Sequence, residues 1–144
     1  MNCKTKTLSK KERNYVDLAA RISYQSDHQH RHGAVLVKGS RIINASHNKM
    51  KFNSFASRFF PREKEWATVH AELGSILNVE RKNTEGATVY VVRMSIEDKL
   101  RMSKPCEMCQ AAMKWVGIKK VVYSTNTGFK EMKLWANELL LLTD

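Results

Sequence analysis

The 144-residue chain predicts an α/β domain built on a mixed sheet, and three observations predict it. Two apolar runs, Ala34 to Val37 and Arg41 to Ser46, flank Lys38-Gly39-Ser40, the pattern of a hairpin closed by a short Gly-containing loop. A Val-rich run from Ala87 to Val92, a helical segment opening at Pro105 and a further run from Lys120 to Ser124 have the order of a strand-helix-strand unit, whose connection is right-handed and whose strands are parallel. Ahead of both lies an amphipathic segment with a helix-start signal. The length suits one domain spanning 1–144, large enough to bury a core without disulfides.

Ser9-Lys10-Lys11-Glu12 has capping-box spacing, so a helix is expected there, laying Tyr15, Leu18, Ala19 and Ile22 on the sheet. The stretch Gln25 to His32 carries His28, His30 and His32; alternating histidines can hold a metal, but the polar, turn-like context favours an exposed loop. The hairpin follows and runs into His47-Asn48. Between Asn48 and Ala67 lies a stretch without clear period, holding Phe52, Phe55, Phe59, Phe60 and Trp66 among lysines and arginines. It reads equally as a flap that stacks bases and neutralises phosphates, or as aromatics buried beneath a loop or in a subunit interface.

Thr68 to Val79 reads as a helix with Val69, Leu73, Ile76 and Leu77 facing the core. It carries His70-Ala71-Glu72. Residues two apart stand about 200° apart around a helix, so His70 and Glu72 can reach one site only from the first turn, past the helix end. Ala87 to Val92 is then a strand, and a loop from Arg93 to Lys104 leads to Pro105-Cys106-Glu107-Met108-Cys109. Proline suits a helix start, Cys106 and Cys109 share one face of the first turn, and the helix dipole there favours thiolates. Met108, Ala111, Ala112 and Trp115 would form the apolar stripe. After Gly117 comes the strand Lys120 to Ser124, then a turn-rich link from Thr125 to Lys130 and a last helix from Glu131 to Leu142 with a wide apolar face.

One imidazole and two thiolates make three zinc donors and leave the fourth tetrahedral position open, as catalytic rather than structural zinc sites do. His-x-Glu followed by Pro-Cys-x-x-Cys is the signature of zinc nucleobase deaminases. On these residues the chain resembles the cytidine and deoxycytidylate deaminase superfamily, which also holds tRNA adenosine deaminases and polynucleotide cytosine deaminases. The resemblance implies a three-layer α/β/α cytidine-deaminase-like fold, one catalytic Zn²⁺ on His70, Cys106 and Cys109, and Glu72 as the catalytic base. It further implies substrate contacts from Asn48 to the sugar, from Ala71 and Pro105 to the base, and from Tyr123. Taken alone, Asn48 reads equally as a turn residue and Tyr123 as a half-buried strand tyrosine.

The expected reaction is hydrolytic deamination, with cytosine to uracil in a nucleotide such as dCMP placed first. The parallel crossover and the formal charge of +11 suit a monophosphate. The alternative is editing of adenosine in tRNA or of cytosine in single-stranded nucleic acid. Deoxycytidylate deaminases typically carry Gly-Tyr-Asn-Gly where this chain has Ser46-His47-Asn48-Lys49, which leaves their nucleotide regulation open. Pro105 to Cys109 with Ala111-Ala112-Met113 looks closer to the tRNA enzymes. The cysteines admit two other readings, a closed structural site with Cys3 as fourth ligand and a redox-active Cys-x-x-Cys. No apolar run suggests a signal peptide or a membrane span, so a soluble, cytoplasmic protein is expected, and the resemblance, with which the C-terminal leucines are compatible, implies a homo-oligomer.

Overall fold

A computed structural model describes residues 5–52 and 68–134. Helix α1 (Lys10–Ser23) starts as its sequence dictates: the Ser9 side chain accepts from the Glu12 N–H and the Glu12 carboxylate accepts from the Ser9 N–H. Strands β1 (Arg31–Lys38) and β2 (Arg41–His47) form the hairpin, with Gly39 at φ +65 supplying the left-handed turn position. A short strand β3 (Lys49–Phe52) pairs with β4 (Thr68–Val69) in a separate two-stranded sheet. Helices α2 (Ala71–Ile76) and α3 (Arg81–Thr84) follow, then β5 (Thr88–Met94), β6 (Leu100–Arg101), α4 (Glu107–Trp115), β7 (Lys120–Ser124) and β8 (Phe129–Lys133).

The main sheet runs β2-β1-β5-β7-β8, with β6 folded back on the end of β5. β5 and β7 are parallel, in register from Thr88 opposite Lys120 to Val91 opposite Tyr123, and the other pairings are antiparallel. Strand alternation sends Val35, Val37, Tyr90, Val92 and Val122 to the face covered by α1. It sends Ala34, Leu36, Val89, Val91 and Val121 to the face where α2 and α4 bring Leu73, Ile76, Cys109, Ala112 and Met113. The described residues therefore make three layers around a sheet that is apolar on both sides.

Gly33 sets the distance between the α1 layer and the sheet. A Cβ there would stand 1.9 Å from the Ala19 carbonyl oxygen and 2.8 Å from the Ser23 nitrogen, so only hydrogen fits. α1 is turned slightly from the expected face, burying Val16 and Ser23 beside Tyr15 and Ala19.

Four expectations are corrected. The helix expected over Thr68 to Val79 is only α2; Thr68 and Val69 are strand, and the chain turns extended at Leu77 and left-handed at Asn78, φ 60. α4 buries Cys109, Ala112 and Met113 and leaves Trp115 66% exposed, because an i, i+3, i+4 series beginning at Cys109 takes the core instead of the one beginning at Met108. The link from Thr125 is the turn of a hairpin, and Glu131 to Lys133 are strand rather than helix: the open edge of β7 takes Phe129 to Lys133 as a partner. Lys6 and Lys120 both pair with Glu131 from neighbouring strand and terminal segment. Residues 53–67 of the aromatic stretch, Cys3 and the remainder of the expected last helix lie outside the described residues.

Candidate active site and metal centre

Two helix starts converge on one point. His70 is the N-cap of α2 and Cys106 the N-cap of α4, and neither side chain caps its own helix, which frees both for another partner. Glu72 and Cys109 lie in the respective first turns, the placement that the two-residue spacing of His70 and Glu72 requires. His70 Nδ1 stands 3.2 Å from Cys109 Sγ and 4.0 Å from Cys106 Sγ. All three donor atoms lie within 4.8 Å of one another, and among the described residues no other group of His, Cys, Asp or Glu has such spacing. Tetrahedral zinc, with bonds of about 2.0–2.3 Å, separates N and S donors by about 3.5–3.8 Å, so the observed distances bracket what one ion needs.

The electrostatics of the trio are already polarised. The Cys109 thiol donating to Cys106 holds the Cys106 thiol down at about 4, against burial and with help from His70. Cys109 is pushed the other way, well above the ordinary thiol range, by that same hydrogen bond and by burial. His70 is raised by its hydrogen bond with Cys106 despite its own burial. Glu72 is 4% exposed, and burial raises its carboxyl. A soft, partly anionic N/S donor set beside a buried carboxylate fits a dication of the zinc type.

These groups form the floor of an open pocket of about 270 Å³. Ala71 lines it; Pro105, between the lining residues Lys104 and Cys106, is not itself in the described lining, and its carbonyl accepts from Gln110 Nε2. Asn48 lines it too, with its amide anchored to the chain: Oδ1 accepts from the His32 N–H at 3.0 Å and Nδ2 donates to the His30 carbonyl at 2.8 Å, each atom keeping one further hydrogen-bonding position. Tyr123 is 4% exposed inside the core with Cys109, Met113 and Leu134, and is not part of the described pocket wall. His28 and His30 lie in the expected loop and His32 in β1, and all three line the pocket. They do not gather as metal ligands: His28 Nδ1 accepts from the His30 N–H, and His30 Nδ1 takes Arg93 Nη2 at 2.8 Å. The mouth carries Lys49, Arg93 and Lys104, none of them ion-paired among the described residues, and Glu72 is the single carboxylate of the described lining.

A buried serine pair, for which the sequence offered no signal, ties the loop before Cys106 to the sheet. Ser124 Oγ accepts from the Arg93 N–H and donates to the Arg101 carbonyl at 2.7 Å, while Ser103 Oγ accepts from the Ser124 N–H and donates to the Val91 carbonyl. The site thereby sits at the carboxyl ends of β5 and β7, where ligands bind in open α/β sheets.

Residues 9–125 match the family described as the cytidine and deoxycytidylate deaminase zinc-binding region. A deoxycytidylate deaminase of Mycobacterium phage D29 is 26% identical over 125 residues, covering 76% of this chain and 90% of that one. Among solved structures, the apo dCMP deaminase of cyanophage S-TIM5 superposes with a TM-score of 0.55 at 20% identity, over 77% of this chain and 79% of that one. The cytidine deaminase of Burkholderia pseudomallei gives 0.60 at 16% identity, over 88% and 94%. Both likenesses speak to the fold, which is cytidine-deaminase-like.

Proposed function

The chain belongs to the cytidine and deoxycytidylate deaminase family, and from that premise we propose that it removes the 4-amino group of a deoxycytidine nucleotide, dCMP first, giving dUMP and ammonia. The observation that carries the reading is the convergence of His70 Nδ1, Cys106 Sγ and Cys109 Sγ within 4.8 Å, with Glu72, in the first turn of α2, lining the same pocket. These three residues would hold the zinc. Zinc, when bound there, lowers the pKa of a coordinated water from 15.7 towards about 7.

The rest of the chemistry belongs to the protein. Glu72 takes one proton from the water attacking C4 and gives it to the ring nitrogen N3, then carries the remaining proton of the added hydroxyl to the 4-amino group as the C–N bond breaks, so that cytosine and water become uracil and ammonia. Its seclusion from solvent keeps that proton from exchanging with bulk water during transfer. Ala71 and the Pro105 backbone border the base. Lys49, Arg93 and Lys104 at the mouth supply the positive field that a 5′-phosphate seeks, and Arg93 Nε is buried with no hydrogen-bond partner among the described residues, a donor available to an anion. The phage relative is a deoxycytidylate deaminase, and a second structure of the cyanophage enzyme is in complex with dCMP and dUMP; both favour the same substrate here.

The test is ammonia release by the zinc-loaded protein and by Glu72→Ala, offered cytidine, dCMP, dCTP, guanine, tRNA and single-stranded DNA. Turnover of dCMP that Glu72→Ala lacks supports the reading. Turnover restricted to tRNA or single-stranded DNA replaces it with an editing activity, and two equally idle proteins overturn deamination altogether.

A further inference from the structure

We infer that His32 reads the sugar of the substrate, its Nε2 accepting a hydrogen bond from the 3′-hydroxyl of the nucleotide. The inference rests on the nucleotide reading above and adds to it a residue that discriminates.

The ring is fixed before any ligand arrives. His32 Nδ1 lies 3.2 Å from the His30 carbonyl oxygen, and because a carbonyl only accepts, Nδ1 carries the proton and Nε2 a lone pair. Asn48 locks the backbone on both sides of that contact: its Oδ1 takes the His32 N–H, its Nδ2 gives to the same His30 carbonyl, and its own N–H reaches the His32 carbonyl at 3.2 Å. No other described residue bonds the ring. Burial, opposed by the His30 hydrogen bond and aided by the charges of Arg93 and His70, brings the imidazole down to about 4, so it is neutral under ordinary conditions.

An acceptor in a pocket that a ligand closes costs free energy unless the ligand brings a donor. A cytosine nucleotide offers two kinds, the amino group and the sugar hydroxyl. The amino group under attack faces Glu72 and the metal donors on the floor. His32 lines the same pocket as His70, Glu72, Arg93 and Lys104, and its neighbour His30 touches Arg93 directly. A nucleotide with its base against Glu72 and the metal donors and its phosphate towards these cations brings its sugar past the wall that His32 lines. Asn48, the residue that the family resemblance assigns to the sugar, fixes the same wall with one N–H and one lone pair of its amide, and His32 adds an acceptor beside it.

The experiment compares dCMP with 2′,3′-dideoxy-CMP on wild type, His32→Asn and His32→Gln, and measures the binding of dUMP and 2′,3′-dideoxy-UMP by calorimetry. Asparagine reproduces the Nδ1 donor to His30 and removes Nε2; glutamine carries its amide to the Nε2 position. For one neutral hydrogen bond, wild type should favour the 3′-hydroxyl about tenfold in kcat/KM and in product affinity. His32→Asn should lose that preference, falling about tenfold on dCMP and little on the dideoxy substrate, and His32→Gln should regain part of it. A His32→Asn protein that discriminates as wild type does, or that loses equally on both substrates, overturns the inference and leaves the deaminase reading standing. Wild type that neither turns over dCMP nor binds dUMP overturns the nucleotide reading and this inference with it.

Discussion

Replacing Ser124 by alanine tests whether the serine pair holds the metal loop in place. Ser124 is 0% exposed, and its hydroxyl serves three groups: the Arg93 N–H at 3.0 Å, the Arg101 carbonyl at 2.7 Å and Ser103 Oγ at 2.8 Å. Truncation leaves the Arg93 N–H without its acceptor and the Arg101 carbonyl without its donor, each costing about 1–3 kcal/mol when buried, while Ser103 keeps its bonds to the Val91 carbonyl and the Ser124 N–H. A loss of about 2–4 kcal/mol is expected, near 3 °C of melting temperature per kcal/mol at this size, or about 6–12 °C. The same change loosens the strand ends that carry Arg101 and Ser103 towards Cys106, so zinc affinity should fall by about 10-fold or more, as when outer-shell partners of a metal site are lost. Urea or thermal denaturation measures the first effect, and competition with a chromophoric chelator the second. A variant within 1 kcal/mol of wild type that holds zinc equally well would refute the argument.

Gly33→Ala forces a methyl to within 1.9 Å of the Ala19 carbonyl and must push α1 off the sheet; a loss of about 3 kcal/mol or more is expected, whereas Gly39→Ala, at φ +65 with open space around it, should lose about 1 kcal/mol through backbone strain alone. Thermal melts of the two variants check the contrast. Glu72→Gln should keep zinc content at the wild-type level while lowering kcat by about 10²–10⁴-fold, measured by metal analysis beside ammonia release. Chelation should lower the melting temperature, since zinc at a thousand times its Kd stabilises by about 4 kcal/mol, and Cys109→Ser should abolish that zinc dependence. The Lys6–Glu131 pair sets a pH effect. Against the upward push of burial, hydrogen bonds and charge from Lys6 and Lys120 hold the Glu131 carboxyl below its ordinary 4.5, so its contribution is complete above that value and is lost as pH falls through the lower folded one. Lys6 is raised by its hydrogen bond with Glu131, so its share is complete below 10.5 and is lost as pH rises through its folded value. Lys6→Ala should flatten both limbs of the stability curve relative to wild type, by about 1 kcal/mol for a partly solvated pair, in urea titrations from pH 3 to 11.

How legible these features were depends on whether their cause is local. The capping box at Ser9 and Glu12, the Gly39 hairpin and the two cysteines on one helix turn are short-range devices, and each is where its spacing put it. The strand Phe129–Lys133 was misread because Met132 suits a helix face as well as a strand; what decides it is the unpaired edge of β7, which no local window contains. α4 carries two overlapping apolar series, and the choice between them is made by the sheet and α2, against which Cys109, Ala112 and Met113 pack while Trp115 turns out. The Ser103–Ser124 pair spans 21 residues of sequence and consists of a residue type that is usually exposed, so only the fold reveals it.

The site shows the same division at finer grain. Metal donors announce themselves because tetrahedral coordination admits few residue types at few spacings. The wall opposite them does not, since a histidine before a glycine at the start of β1 acquires meaning only when Gly33 lets α1 close behind it and Asn48 arrives from the far end of β2 to fix its backbone. Asn48 and His32 are therefore coupled through one carbonyl, that of His30. If the wall acts as a unit, Asn48→Ala should reproduce the loss of 3′-hydroxyl discrimination expected of His32→Asn, and the double variant should lose little more than either alone. Additive losses would mean that the two side chains contact the substrate independently.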